Sequence, residues 1–524
     1  MAFAFILYAA YCASYRKRTL GMIPIALDSL FYLALAALAW LIGTSTSYIF
    51  VSGYFDHCEP AVASLSWMTA AGGPSDVLAP DDAARYSFQY GPLVYLTNAV
   101  ALILLGGSVA SSKVMGVVSC TIGLLALYGA LRVNLNRNDA LTLTGFTALQ
   151  FLAFANFSYW NRPDPFLILC SAIALLTLTR LPKKTVPLIL GTLIGSAFAL
   201  KIHGPLYVAP IVTAYIARRP RPLDLVLLAG AAAISAGLTF LMGNASITAL
   251  VIAIQAASKH GLSLSYFYWN ITYLIPVLLP LLVFALLKRG ELRAESQIFV
   301  YSTCATLILI TIPASKVGAG PHHYLPLIPI IIYAFSLALR NGGIRRLFSA
   351  ECPWREDLIT GFLISAVVVS LMSASLSQYR IARYLSGRWP YSEATLELNS
   401  IMARYPNQII QMGYSDDAGY ALTMVRPLLS FHGHPLFLDA APLMDFTAAG
   451  SRLPVRTIDA MRTCKVSVWI IPRPGEPFSM TNNYPPHDLL FDRKLRSAFF
   501  ESYMLDYSAN IYDSWICKQA AVEK

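Results

Sequence analysis

Long apolar runs separated by short polar segments dominate the first 377 residues of the chain. A helix needs about 20 apolar residues to cross the hydrocarbon layer of a bilayer. Runs close to that length recur along the chain and predict about eleven transmembrane helices. They lie near 22–43, 114–131, 139–157, 165–181, 186–200, 205–217, 223–242, 265–287, 296–313, 323–340 and 357–377.

Clusters of lysine and arginine fall on every second connection between these runs. They are Arg16-Lys17-Arg18, Arg132 with Arg137, Lys183-Lys184, Arg218-Arg219 with Arg221, Lys288-Arg289 with Arg293, and Arg345-Arg346. Cytoplasmic loops of membrane proteins carry an excess of such residues. We therefore predict these connections inside the cell, with the N-terminus cytoplasmic and the C-terminal part extracytoplasmic.

The apolar run at 93–110 does not fit this alternation, because counting it as a span would put every later basic cluster outside. It is better interpreted as a helix on the outer face of the membrane. The first outer segment then covers about 44–113. A connection of that length is a candidate functional region.

The chain changes character after residue 377. Charge is denser there, and turn signals separate short β-rich runs at 408–412 and 466–472 from segments of helical character such as 392–404. The sequence therefore predicts two units: a transmembrane module at 1–377 and a small, soluble α/β extracytoplasmic domain at 378–524.

Composition agrees with an α-helical polytopic membrane protein. Of the 524 residues, 56% are apolar and 13% charged, and the mean hydropathy is +0.56. A soluble protein carries about 25% charged residues. The net charge of +11 resides in the clusters between apolar runs, without the interleaved aromatics of nucleic-acid binding. The lipid bilayer is thus an expected partner and nucleic acid is not.

The eight cysteines are scattered and form no CxxC motif. Only Cys464 and Cys517 both lie in the polar C-terminal stretch, where their pairing stays open. A disulfide there would indicate an oxidising compartment. Residues 1–14 lack a signal-peptide cleavage pattern and are read as interfacial or as a marginal first span.

Polar residues gather at the predicted outer ends of the spans. The segment "GYFDHCEP" places Asp56 and Glu59 three positions apart, and further charged residues follow at 76–85. The pair is either a solvated turn or a catalytic site. A carboxylate at the membrane surface is partly desolvated, which raises its pKa and makes it a better proton acceptor. We predict Asp56 and Glu59 as the catalytic acids.

Cations follow at other outer ends. Arg162 and Asp164 flank a proline, as a local ion pair or as substrate ligands. Lys201 and Lys316 precede glycine-containing turns, where they either extend to the membrane interface or bind a phosphate. We predict all four as substrate-binding residues.

His203, His322 and His323 are predicted to join this substrate site. The last two are adjacent, so a regular helix or strand would not point both at one metal, and no HxxxH or HxH pattern is present. No cofactor is required on this reading, and a divalent metal stays open without being indicated.

Five segments together resemble a known family. They are "YFDHCEP", "YGPLVYLTNA", "RPDPFLIL", "LKIHGPLY" and "KVGAGPHHYLPLIP". Over about residues 20–345 the chain resembles the bacterial GT-C glycosyltransferases of the dolichyl-phosphate-mannose mannosyltransferase and aminoarabinose transferase superfamily. The resemblance implies a GT-C fold and a multi-pass protein of the bacterial inner membrane. It also implies transfer of a sugar from a polyprenyl-phosphate donor to a cell-envelope glycan, lipid or protein acceptor.

The resemblance also implies roles for individual residues. The family's acid in the first outer loop falls on Asp56 and its second acid on Glu59, although His57 and Cys58 separate the two here. The arginine and aspartate after the third span fall on Arg162 and Asp164. Its phosphate-side basic residues match Lys201 and Lys316.

The residue chemistry agrees with this implication. Transfer from a lipid phosphate needs a base for the acceptor hydroxyl, here Asp56, and positive charge on the departing phosphate. Direct attack would invert the anomeric carbon of a hexosyl or pentosyl unit. The alternative is a transporter or flippase for a lipid-linked sugar, since polar residues in a helical bundle also mark transport pathways.

Overall fold

The computed structural model describes residues 23–71, 84, 89–340, 343–344, 354–383, 391–485 and 487–519. The predictions for residues 1–14, for the cytoplasmic N-terminus and for the charged residues at 76–85 lie outside these ranges.

The apolar runs form helices close to the predicted positions. The helices are α1 (Ile23–Ile49), α2 (Cys58–Ala70), α3 (Pro92–Leu105), α4 (Ser111–Leu131), α5 (Arg137–Leu152), α6 (Pro163–Arg180), α7 (Val186–Leu200), α8 (Pro205–Ala217), α9 (Pro222–Met242), α10 (Ile247–Ser258), α11 (Leu264–Tyr273), α12 (Leu279–Leu287), α13 (Ala294–Ala314), α14 (Ile328–Ala338) and α15 (Trp354–Arg383). A π-helical turn, Leu274–Leu278, joins α11 to α12, and a 3-10 helix, Pro321–Leu327, precedes α14. Of these, α2 and α10 were not predicted.

Within the described residues, six helical segments are long and apolar enough to cross a membrane. They are Asp28–Ile49, Ser111–Leu131, Pro163–Arg180, Pro222–Met242, Leu264–Leu287 and Ala294–Ala314. The helices α3, α7 and α8 are apolar but have only 14, 15 and 13 residues. The helical membrane architecture is therefore confirmed, while the count of eleven spans stays a prediction.

Proline marks where several of these helices begin. Pro92, Pro163, Pro205 and Pro222 occupy the first positions of α3, α6, α8 and α9. Proline suits that position because its fixed φ is helical and the amide hydrogen it lacks would have no partner inside the helix.

Among the described residues, two hydrogen bonds join connections at one end of the bundle that carry or adjoin basic clusters. Arg218 donates to the carbonyl oxygen of Leu178 at 3.1 Å, and the amide of Ile344 donates to Asp139 Oδ2 at 3.4 Å. Their neighbouring helices thus run up and down as the alternation of charge predicts. We call the opposite end, where the polar connections meet, the site end.

Both ends of α3 lie at the site end. The amide of Gly91 donates to the carbonyl oxygen of Leu200 at 3.1 Å, and Gly107 lies against Phe431 of the C-terminal part. A Cβ on Gly91 would be 2.1 Å from the carbonyl oxygen of Ala199, so only glycine permits this approach. Such a course agrees with a helix lying along the membrane face.

The C-terminal part is a small α/β unit, as expected. Its elements are α16 (Tyr391–Arg404), β1 (Ile410–Met412), α17 (Pro427–Phe431), α18 (Ala440–Ala448), α19 (Val455–Arg462), β2 (Val468–Pro472), α20 (Arg493–Ser502), β3 (Tyr503–Ser508) and β4 (Tyr512–Cys517). The sheet has the order β1-β2-β4-β3, with β1 and β2 parallel and the other pairs antiparallel. A disulfide joins Cys464 to Cys517. This unit packs on the site end.

Candidate active site

The segment between α1 and α2 carries Asp56 at the site end. Its Oδ1 accepts hydrogen bonds from Arg162 Nη1 at 2.6 Å and from the amide of Cys58 at 2.9 Å. The side chains of Asp56 and Arg162 are 21% and 11% exposed. The two predicted site residues therefore form a direct, mostly buried ion pair across 106 positions of sequence.

The charge of Arg162 decides the protonation state of Asp56. Burial is the largest influence and would raise the pKa of Asp56, but the Arg162 guanidinium and His57 overcome it and lower the pKa to about 2. Asp56 is therefore an anion at neutral pH. Its basicity depends on the strength of its ion pair with Arg162.

Glu59 lies in the first turn of α2 with no exposed surface. Its Oε1 accepts from the amides of Phe55 and Asp56 at 3.2 and 3.1 Å and from Asn156 Nδ2 at 3.2 Å, and Oε2 accepts from the Tyr48 hydroxyl. Burial raises the pKa of Glu59 to about 7, against the pull of Lys113. Glu59 thus fixes the backbone that presents Asp56.

Lys113, at the start of α4, binds the segment between α1 and α2 from the side of the membrane helices. Its Nζ donates to the carbonyl oxygens of Tyr48, Val51 and Gly53 at 3.2, 2.8 and 2.6 Å, and the residue is fully buried. An ammonium with three carbonyl partners orders a segment that has no regular secondary structure of its own.

Asp164 and Lys201 form a second ion pair next to the first. Lys201 Nζ donates to Asp164 Oδ1 at 2.9 Å, with side-chain exposures of 8% and 0%. Trp160 Nε1 donates to the other carboxylate oxygen at 3.1 Å. Lys201 follows the last residue of α7 and Asp164 lies in the first turn of α6, so two helix ends meet here.

Two aromatic rings connect the pairs. The Arg162 guanidinium lies 3.9 Å from the Trp160 ring centroid and 5.4 Å from that of Tyr90. Lys201 Nζ lies 5.9 Å from the same Tyr90 ring. Asp56, Arg162, Asp164 and Lys201 therefore make one continuous group, which we call the charged cluster.

The three predicted histidines pack together next to Trp160 of the charged cluster's surroundings. The rings of His203 and His323 stack with centroids 5.2 Å apart, and His322 lies 5.2 Å from Phe157 and 6.2 Å from Trp160. Burial, reinforced by Lys201, lowers the pKa of His203 to about 3. His203 is therefore neutral at physiological pH and does not compete for an anion.

Lys316 belongs to a second group, shared with the C-terminal unit. Burial lowers the pKa of Lys316, and Asp445 of α18 opposes that effect as the strongest opposite charge. Asp445 Oδ1 also lies 3.2 Å from His260 Nε2, and the ring of Tyr484 lies 4.2 Å from that of His260. Lys316 is thus influenced by a carboxylate of the C-terminal unit and, more weakly, by Cys58 next to Asp56, and no ion pair joins it to the charged cluster among the described residues.

Asp56, His57 and Cys58 offer donor atoms that all lie within 4.8 Å of one another. Asp56 Oδ1 already pairs with the Arg162 cation, which opposes binding of a metal ion there. We assign no metal to this group, and metal dependence stays a prediction in either direction.

The structure thus brings Asp56, Arg162, Asp164 and Lys201 into one cluster. The three histidines pack next to it, Glu59 holds the backbone of Asp56, and Lys316 belongs to the group around Asp445. Sequence reasoning missed Tyr90, Trp160 and Lys113. Lys113 carried a signal, because an ionisable residue beside an apolar run is a functional candidate by default. Tyr90 and Trp160 carried none, because aromatic residues at helix ends are common in any membrane protein.

A scan against protein-family models finds no match, and neither does a search of curated proteins. Solved structures do match. The chain is similar to ArnT from Cupriavidus metallidurans bound to undecaprenyl phosphate, with a TM-score of 0.55 at 14% identity over 91% of this chain and 97% of ArnT. The apo state of that protein matches with a TM-score of 0.53 at 14% identity over 92% and 98%.

This chain has a GT-C fold. The similarity extends over nearly the whole length of both chains, so it includes the C-terminal α/β unit as well as the helices. Within the GT-C fold, the charged cluster lies where the helix ends of α6 and α7 meet the segment before α2.

Proposed function

We propose that the protein is a membrane glycosyltransferase that moves a sugar from a polyprenyl-phosphate donor to an acceptor hydroxyl. The observation that carries this proposal is the ion pair between Asp56 and Arg162, because it supplies a base and a phosphate ligand in contact. The GT-C fold supports the same reaction class.

The proposed reaction is a direct displacement at the anomeric carbon. The acceptor oxygen forms the new glycosidic bond while the bond from the anomeric carbon to the phosphate oxygen breaks. The acceptor proton passes to Asp56, and the lipid phosphate leaves with the bonding electrons. Attack opposite the leaving group inverts the anomeric carbon.

Arg162 would couple donor binding to the basicity of Asp56. Its Nε is buried and has no hydrogen-bond partner among the described residues, so a donor atom is ready for a phosphate oxygen. A phosphate on Arg162 shares the guanidinium charge with Asp56. The pKa of Asp56 then rises from its low value, because the burial that favours the neutral acid remains. The carboxylate becomes a stronger base once donor is bound.

Lys201 and Lys316 would act on the phosphate from two sides. Negative charge grows on the leaving phosphate in the transition state, and cationic hydrogen-bond donors stabilise it there. Burial lowers the pKa of both lysines, and the carboxylates of Asp164 and Asp445 oppose that effect at Lys201 and Lys316 respectively. In this proposal the charge on the leaving monophosphate is met by side chains, and metal dependence stays a prediction.

Residues around the cluster take supporting roles in this proposal. Glu59 holds the amides of Phe55 and Asp56, and we assign it as a positioning residue and not as a second base. The disulfide between Cys464 and Cys517 supports an oxidising compartment for the C-terminal unit. We therefore propose that the charged cluster faces the extracytoplasmic side of a bacterial inner membrane.

Reconstituted protein tests the reaction directly. Proteoliposomes are supplied with a radiolabelled polyprenyl-phosphate sugar and a hydroxyl acceptor, and both transfer and movement of the donor between leaflets are measured. We expect labelled acceptor and free polyprenyl phosphate in equal amounts. Donor movement without cleavage of the sugar–phosphate bond would contradict the proposal and favour the flippase.

The pH profile of transfer tests the coupling between Arg162 and Asp56. In the wild type, kcat/KM should show no acidic limb from Asp56 above about pH 4, because the pKa of the free enzyme's carboxyl is about 2. The variant Arg162→Gln removes the charge that opposes burial, so the pKa of Asp56 rises. We expect an acidic limb to move above pH 4 in this variant, measured as kcat/KM between pH 4 and 8. An unchanged profile would rule out Arg162 as the group that sets this pKa.

A further inference from the structure

The segment that carries Asp56 is held from the C-terminal unit as well as from the membrane helices. The Tyr391 hydroxyl, at the start of α16, donates to the carbonyl oxygen of Tyr54 at 3.0 Å. The ring of Tyr391 lies against Gly53, where a Cβ would be 2.5 Å from it, and Ser392 Oγ is 3.1 Å from Ser52 Oγ. This contact precedes Asp56 in the chain by two residues.

A second contact follows Asp56 by one residue. Arg426 Nη2 donates to the carbonyl oxygen of His57 at 3.3 Å. The same guanidinium pairs with Asp439 at 3.1 and 3.2 Å, and both side chains are almost fully buried, with 3% and 1% exposed. Arg426 therefore approaches His57 in a fixed orientation.

Ring contacts extend this attachment beyond the two carbonyls. Tyr420 lies 6.4 Å from the ring of His57, and Phe431 of α17 makes an edge-on contact with Trp67 of α2, with centroids 5.7 Å apart. The C-terminal unit thus contacts the segment on both sides of Asp56 and the helix that follows it.

We propose that Tyr391 and Arg426 are positioning residues for glycosyl transfer, and that the C-terminal unit orients Asp56 by fixing the peptide groups of Tyr54 and His57. This inference rests on the proposed function, since it assigns Asp56 as the base. A segment without regular secondary structure sets the direction of a side chain through its peptide planes. Here the next peptide planes out from Asp56, those of the Tyr54 and His57 carbonyls, are set by hydrogen bonds from another domain and limit the conformations open to the residues between them.

The two contacts complement those made by the membrane helices. Lys113 and Glu59 hold the carbonyl of Gly53 and the amide of Asp56 from the bundle side. The C-terminal unit holds the neighbouring carbonyls from the other side, so Asp56 is fixed only when both halves of the chain are docked. A displacement of about 1 Å in a reacting group can cost about a hundredfold in rate.

The test compares two tyrosine-to-phenylalanine variants of the full-length protein. Tyr391→Phe keeps the ring on Gly53 but removes the bond to the Tyr54 carbonyl. Tyr503→Phe is the matched control, because its buried hydroxyl donates to the carbonyl oxygen of Val466 at 2.6 Å inside the C-terminal unit. Amide hydrogen exchange of peptides covering 50–60 is measured by mass spectrometry, and transfer is measured with a labelled donor.

We expect faster exchange at 50–60 in Tyr391→Phe than in the wild type, and no change there in Tyr503→Phe. Transfer by Tyr391→Phe should show kcat lowered about tenfold with the KM for donor unchanged, as for a misplaced base. Equal exchange in the two variants, or faster exchange with unchanged kcat, would overturn the proposal.

A second variant covers the case in which Tyr391→Phe does not fold. The pair Arg426→Met with Asp439→Asn removes both buried charges together, which avoids leaving either one unpaired. It should also raise exchange at 50–60. If Asp56→Asn transfers sugar normally, the assignment of Asp56 as the base fails, and if the wild type transfers none, the proposed function fails. In both cases the exchange measurement still decides whether the C-terminal unit holds the segment.

Discussion

Replacing Asp56 by asparagine is expected to lower sugar transfer by about 10²–10⁴-fold, the usual contribution of a general base. Asparagine has the same shape but cannot accept the acceptor proton. The Cys58 amide can still donate to its side-chain oxygen, as it does to Asp56 Oδ1 at 2.9 Å. The loss should therefore appear in kcat, measured with labelled donor at saturating concentration, and not in expression.

The matched control is Asp459→Asn. Asp459 also pairs with an arginine, Arg462, at 3.4 Å, but on the exposed surface of the C-terminal unit. We expect wild-type turnover from it. Donor binding to Asp56→Asn should persist, since Arg162 is released from its carboxylate partner. Transfer within a few-fold of the wild type would remove Asp56 as the base.

The second large effect concerns stability. Asp164→Asn leaves Lys201 buried without its counter-charge, and breaking such a pair costs about 3–5 kcal/mol. The bond from Trp160 to the side-chain oxygen can survive, so the loss is mainly that of charge. Thermal unfolding in detergent should show a clearly lower Tm for this variant.

The sign of the pH dependence follows from Lys201. Burial lowers the pKa of Lys201, and removing Asp164, which opposes that effect, lowers it further. The unfolded state then binds more protons than the folded state below the ordinary lysine pKa of 10.5, so stability rises with pH. The deficit of Asp164→Asn should therefore shrink as pH increases from 7 towards 10.

Two further variants serve as controls for this Tm measurement. The double variant Asp164→Asn with Lys201→Met has no buried charge left and should recover most of the lost Tm. Glu291→Gln weakens a lysine–carboxylate pair at the surface, 3.7 Å from Lys288, and should cost no more than about 1 kcal/mol. A single variant as stable as the wild type would mean that Lys201 is neutral or solvated.

Local pattern predicted the membrane part well. The apolar runs placed the helices from α4 to α9 to within about five residues, because helix formation in a bilayer depends on composition and length. The contacts of Arg218 with Leu178 and of Ile344 with Asp139 agree with the alternation of the basic clusters, while the number and orientation of the spans stay predictions. The short helix α2 was missed because its sequence, "CEPAVASLSWMTA", resembles a loop until the buried Glu59 anchors it.

The sequence indicated which residues belong to the site, but it did not indicate which of them contact each other. Asp56 and Arg162 are 106 positions apart, and nothing local indicates that they touch. Nothing local indicates either that the charge of Asp445 acts on Lys316, or that Arg426 donates to the His57 carbonyl. The last two relations depend on docking of the C-terminal unit onto the helices, and all three are decided by the packing of segments distant in the sequence.

The helix α3 has a mechanical consequence for the surrounding lipid. Its residues Val100, Ile103, Leu104 and Leu105 are 47–75% exposed, and both of its ends lie at the site end. A helix embedded along one face occupies area in a single leaflet. We therefore expect α3 to take up area only in the leaflet at the site end.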